Sequence, residues 1–152
     1  MKYAGLETET VTTWRNGGLD ANGQPPEHAT SDGHGNPCRH CLQDIPEGTP
    51  MLVLAHRPFP TLQPYAETGP IFVCDQHCLS GTSSTPPEIL TTSPDYLVKG
   101  YGVDDRIIYG TGAVIVAGQL DAYAQKLFER SEIAYLHVRS ARNNCYQLRI
   151  DR

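Results

Sequence analysis

What the chain lacks narrows its function first. No stretch approaches the roughly 20 consecutive apolar residues that a bilayer span needs. The N-terminal MKYAGLETETVTTW carries a lysine but no apolar segment behind it, so it does not read as a secretory signal. An excess of positive charge is also missing. Twelve Lys and Arg stand against 17 Asp and Glu, a formal net charge of −5, whereas a nucleic-acid binder presents a basic face. These absences predict a cytoplasmic protein that engages neither nucleic acid nor membrane. In that compartment cysteines serve as thiols or metal ligands rather than disulfides, and an odd count of five fits that use.

Large apolar side chains are nearly absent from GGLDANGQPPEHATSDGHGNP, residues 17–37. Such a segment buries too little surface to offset its ordering entropy, which predicts a mobile loop. Before it, Leu6, Val11 and Trp14 alternate loosely with Thr and Glu, the pattern of an edge strand. Residues 1–36 are therefore expected as an N-terminal strand and a mobile Gly/Pro-rich loop, and residues 37–152 as a single α+β domain.

Within that domain, Met51–Ala55, Ile71–Val73 and Tyr96–Tyr101 read as strands. The four-proline segment RPFPTLQPYAETGP between the first two cannot be a regular element. Arg106–Tyr109 and Ala113–Val116 read as a hairpin turned by GTG. Leu120, Tyr123, Ala124 and Leu127 share one helical face, which predicts a helix over about residues 120–130 packed on the sheet. Ile133–Val138 and Cys145–Ile150 close the chain as a strand pair, with the Asn143-Asn144 region supplying the left-handed turn conformation. Many strands and one late helix make the class α+β, mainly antiparallel.

What is present in quantity is cysteine, in two knots. PCRHC holds Cys38 and Cys41 at C-x2-C spacing, and VCDQHC holds Cys74 and Cys78 at C-x3-C, with His77 between them as a substitute ligand. Zinc takes four tetrahedral sulfur or imidazole ligands, and short-spaced pairs deliver two of them with little chain strain. The 32 residues between the pairs contain two candidate strands, so a hairpin could return the second pair to the first. Leu42 stands where a glycine usually follows such a knuckle. Plain packing of buried thiols competes with metal, because cysteine behaves as a small hydrophobe. Redox chemistry fits poorly. A reactive C-x-x-C pair needs a helix N-terminus, and Pro46 and Gly48 follow too soon for one. His40, between two candidate ligands, reads as solvated.

A second cluster, HVRSARNNC at 137–145, places His137, Arg139, Arg142 and Cys145 around one turn. His137 and Arg139 share a strand face, and a guanidinium fork suits a carboxylate or phosphate. Cys145 with His137 is also the elementary thiolate–imidazole arrangement. Against both stands a strand face with solvated arginines and a buried cysteine.

The blocks PCRHCLQDIPEGTPMLVLAHRPF, PYAETGPIFV and YLHVRSARNNCYQLRIDR together resemble the bacterial family labelled domain of unknown function 1203. The resemblance covers about residues 36–152, and GPIF at 69–72 and HVRSARNNC are its most specific parts. It implies no activity. It does imply that Cys38, Cys78 and Cys145 are family positions, that Cys41 is shared by part of the family, and that Cys74 is particular to this chain. A rival metal set then combines Cys38, Cys41 and Cys78 with Cys145 or His77. The resemblance also implies one shared pocket around Arg39, His137 and Arg139.

The sequence thus predicts a structural zinc at Cys38, Cys41, Cys74 and Cys78. A protein or enzyme binding a small anionic ligand through Arg39, His137, Arg139 and Arg142 is the alternative, and a protein-interaction module is the third.

Overall fold

Alternation along the C-terminal strands builds the larger of two sheets. The computed structural model describes residues 1–152. In β7 (Tyr135–Ser140), Leu136 and Val138 face one side. Tyr96 and Val98 of β5 (Asp95–Tyr101) and Leu148 and Ile150 of β8 (Tyr146–Asp151) join them. With β1 (Lys2–Ala4) and β6 (Ala113–Val116) on the edges, the strand order is β1-β8-β7-β5-β6, antiparallel throughout. Helix α2 (Leu120–Leu127) covers this face with Leu120, Ala124 and Leu127, the stripe its sequence period requires. The helix stops short of residue 130. Arg152 reaches past its end and donates to the carbonyls of Phe128, Arg130 and Ile133, which ties down the segment that follows the helix.

The smaller sheet has the order β2-β3-β4, from β2 (Glu27–Thr30), β3 (Pro50–His56) and β4 (Gly69–Cys74). Cross-strand partners Leu52 and Val73, and Leu54 and Ile71, form the apolar face of its hairpin. The fold is therefore α+β and mainly antiparallel. No helix is long and apolar enough to cross a membrane.

Three segments differ from the sequence expectations. Residues 1–14 give not one strand but β1 followed by helix α1 (Thr8–Arg15). Threonine and valine favour strands, but Val11 and Trp14 lie three apart, and both are buried against the small sheet. Tertiary burial overrides local preference here. The Gly/Pro-rich stretch is not a free loop. It contains β2, paired along β3, and the Asp20 carboxylate accepts hydrogen bonds from the backbone N–H groups of Asn22, Gln24 and Ala55. Arg106–Tyr109 is not a strand. It contributes a single bridge, Ile107 to Tyr101, while β6 pairs with β5 instead.

One irregularity re-aims a key side chain. Val138 opposes Leu148 but Arg139 opposes Tyr146, so Gln147 is an extra residue in β8. This bulge turns Tyr146 away from the α2 side and into the second core with Val11, Trp14 and Leu52. His137 and Arg139, on the reverse face of the large sheet, are buried there as well.

Candidate metal centre

The β3–β4 hairpin does what the 32-residue spacing requires. Its register sets Cys74 opposite Met51, and Cys38 forms a parallel bridge with Phe72 of β4. The second cysteine pair is thus carried back to the first at the seam between the sheets. The Sγ atoms of Cys38, Cys41, Cys74 and Cys78 all lie within 4.8 Å of one another, and those of Cys41 and Cys74 are 4.0 Å apart. Four thiolates on one tetrahedral ion with bonds of about 2.3 Å sit roughly 4 Å apart, so the donor set fits a single metal ion.

The knuckle at the first pair is built without glycine. Leu42 adopts φ 59°, a left-handed conformation costing an L-residue about 1–2 kcal/mol. Its N–H donates to the Cys38 carbonyl at 2.9 Å, closing the turn around the sulfurs. Its side chain is 1% exposed and belongs to the core under α2, and burying a leucine contributes about 1.5–3 kcal/mol. Burial of this one side chain offsets the strain of its own backbone. Glycine is required instead at the two places where other strands of chain press on the knuckle. A Cβ on Gly5 would collide with the His40 carbonyl, and one on Gly81 with the Cys41 carbonyl.

Donors converge on the sulfurs. The Cys74 N–H donates to Cys38 Sγ at 3.3 Å. Arg15, from the last turn of α1, donates through Nη2 to Cys78 Sγ at 3.2 Å and through Nε to the Cys74 carbonyl at 2.9 Å. His40 is fully buried, with Nδ1 3.0 Å from Cys78 Sγ and Nε2 2.9 Å from Thr8 Oγ1. With Cys78 a thiolate, Nδ1 carries the hydrogen and Nε2 accepts from the threonine hydroxyl. Hydrogen bonds from Cys38, Cys41 and Cys74 hold the Cys78 thiol well below its ordinary pKa, with His40 adding to them. Bonds to Cys41 and Cys74 bring Cys38 down to about 6. Cys41 and Cys74, which share their protons with these two, are pushed up. Two of the four thiols, Cys38 and Cys78, are thus inclined to shed their protons, and a bound cation would have to displace those of Cys41 and Cys74.

Of the remaining candidates, His77 is exposed and Cys145 lies in the β7–β8 turn with its thiol toward the Asn143 carbonyl, so neither joins the cluster. Cys74, which the family resemblance left in doubt, does join it. The solvated role expected for His40 is replaced by a buried contact with sulfur. Thr8 and Arg15 carried no sequence signal, because only the packing of α1 brings them to the knot.

The four residues expected to gather an anion are distributed. Arg39 is 3% exposed and spans the sheets, donating through Nε to the Tyr146 carbonyl at 2.8 Å and through Nη1 to the Pro37 carbonyl at 2.6 Å. Arg139 is held by the Asn144 carbonyl and by Glu67, whose carboxylate is 2.8 Å from Nη2. Arg142 is exposed and pairs with Asp95 at 2.6 Å. His137 is buried among Phe59, Tyr101, Tyr135 and Tyr146, and no hydrogen bond joins it to Cys145.

No curated protein and no solved structure matches the chain. Residues 35–152 match the family described as "Protein of unknown function (DUF1203)", and GPIF and HVRSARNNC, the blocks of the resemblance, lie within that span. The cysteine cluster lies within it too, while Thr8 and Arg15 precede it. On a match that takes in most of its length, the chain belongs to the DUF1203 family.

Proposed function

We propose that Cys38, Cys41, Cys74 and Cys78 hold one structural zinc ion in a cytoplasmic protein, and that the ion clamps the knuckle, the β3–β4 hairpin and helix α1 into one unit. The convergence of four sulfurs within 4.8 Å carries this reading. Four thiolates saturate a tetrahedral ion and leave no position for water or substrate, which is the mark of a structural rather than a catalytic site. Thiolate softness selects zinc or iron over magnesium and calcium. The Arg15 guanidinium and the His40 N–H would offset the surplus negative charge of a tetrathiolate zinc, as outer-shell donors do elsewhere.

Elemental analysis of protein purified without chelator tests it. The expected result is close to one zinc per chain, held more weakly in a Cys78→Ser variant and unaffected by Cys145→Ser. Metal-free protein that is fully folded, or one iron in place of zinc, overturns it.

A further inference from the structure

Two cavities of the fold differ in their charges. The cleft beside α1, about 780 Å³ and lined in part by Trp14, His56 and His137, carries as many carboxylates as cations. A smaller pocket of about 350 Å³ opens between the first cysteine knuckle, the segment before β5 and the β7–β8 turn. Small-molecule sites span about 300–1,000 Å³. In the smaller pocket Arg39 is the one charged residue of the lining, and no carboxylate accompanies it.

Arg39 is 3% exposed, and a guanidinium keeps its charge in proteins. A buried charge is normally paired, because an ion taken from water without a partner is costly. Arg39 nevertheless takes part in none of the chain's seven ion pairs. Asp44 is near enough to feel its charge but forms no ion pair with it. Two of its three nitrogens are spent on backbone carbonyls, Nε on Tyr146 and Nη1 on Pro37. Neither bond reaches a cysteine sulfur. Nη2 donates to no group of the protein. It is not among the fold's sealed unpartnered atoms either, so it keeps an accessible edge.

A second donor lies on the same lining. Ser140 is half-buried, and its Oγ accepts from the Asn143 N–H, which leaves its own hydrogen free. The exposed Asn143 side chain stands at the mouth, and Cys145 is half-buried on the wall.

From this geometry we infer that the pocket binds a small molecule through one oxyanion group, a carboxylate or a phosphate, received by Arg39 Nη2 and the Ser140 hydroxyl. An oxyanion supplies both the counter-charge that Arg39 lacks and the acceptor that Nη2 lacks. Of the four residues on which the sequence placed an anion, Arg39 alone lines this pocket. The inference does not depend on the identity of the metal.

Cys145 is the one cysteine outside the metal-competent cluster. Its alkylation by iodoacetamide therefore reports the pocket while bound metal protects the other four thiols. The test titrates metal-loaded full-length protein, in Tris chloride at pH 7.5 and constant ionic strength, with benzoate, inorganic phosphate and the neutral isostere benzamide. At least one of the two anions should bind saturably and at least 10-fold tighter than benzamide, and the tighter of the two identifies the oxyanion. It should shift the backbone NMR signals of Ser140 and Cys145 and slow Cys145 alkylation at least 5-fold. Arg39→Gln should weaken that binding at least 10-fold. Should Arg39→Gln fail to fold, Ser140→Ala decides, with a loss of at least 3-fold. The inference is overturned if neither anion binds, if benzamide matches both, or if the shifts centre on Arg57 in the larger cleft. It is equally overturned if saturation leaves Cys145 alkylation unchanged, or if Ser140→Ala or a folded Arg39→Gln binds like wild type.

Discussion

At the cysteine knot both His40 nitrogens and the Arg15 guanidinium find partners, while across α1 His56 Nε2 and His137 Nδ1 are buried with none. Both regions are buried, both use a histidine, and α1 borders both: Thr8 and Arg15 reach the sulfurs while Trp14 lines the cleft. The knot's histidine is bonded at both nitrogens, between Thr8 and Cys78. The cleft's histidines are wrapped in aromatic rings instead. A fully connected polar cluster holds a structure together, whereas a partly connected one leaves capacity for something else. The difference separates a bonded cysteine centre from a wall with unmet hydrogen-bonding capacity within one small fold.

Stripping the metal breaks the comparison most severely. An ion bound at 1,000 times its Kd contributes about 4 kcal/mol, equivalent to roughly 10 °C or more in a chain of this size. Chelation should lower Tm by at least that much and loosen α1 along with the knuckle. Differential scanning calorimetry with and without chelator checks the first point, and amide exchange over Thr8–Arg15 the second.

Leu42 tests how the knuckle closes. Leu42→Ala should cost about 2–5 kcal/mol, the usual range for a buried leucine. Leu42→Gly removes the same side chain but frees the left-handed backbone, so it should be about 1 kcal/mol more stable than the alanine variant, reversing the order seen at ordinary positions. Denaturant midpoints of the two variants decide it.

Arg15 and His40 test the outer shell. Arg15→Ala should weaken zinc about 10–100-fold in a competition assay with a chromophoric chelator, the range typical of outer-shell partners. Thr8→Val, one bond further out, should weaken it less.

The cleft histidines give the smallest effect and the one that sharpens the contrast. His56 has a folded pKa of about 4 against an ordinary 6.5. The unfolded chain therefore takes up this proton first. Stability contributed by the neutral ring is fully present above pH 6.5 and is lost as pH falls toward 4, at up to about 1.4 kcal/mol per pH unit. With zinc in excess, His56→Phe should flatten the stability profile in that window relative to wild type.

How much of this was legible follows from what each residue needs. The cysteine pairs could be read because ligand spacing is a local property, and the apolar runs between them because a hairpin must return the chain. Strands β5, β7 and β8 follow from alternation, and α2 from its stripe. Helix α1 was not legible: its threonines favour extended backbone, and only the burial of Val11 and Trp14 makes it helical. With α1 hidden, Arg15 and Thr8 had no route to the sulfurs. The bulge at Gln147 has no sequence mark either, yet it carries Tyr146 to the wall that joins the two histidines. Leu42 was read as a departure from the usual knuckle, and the structure gives the physical reason it works: the left-handed residue is also a core residue.

The central claim is that four sulfurs share one zinc. X-ray absorption at the zinc edge on the purified protein tests it most directly. The account predicts four sulfur neighbours at about 2.3 Å and no lighter ligand, falling to three in Cys74→Ser. A shell containing nitrogen or oxygen in the wild type, or one unchanged by Cys74→Ser, would contradict it.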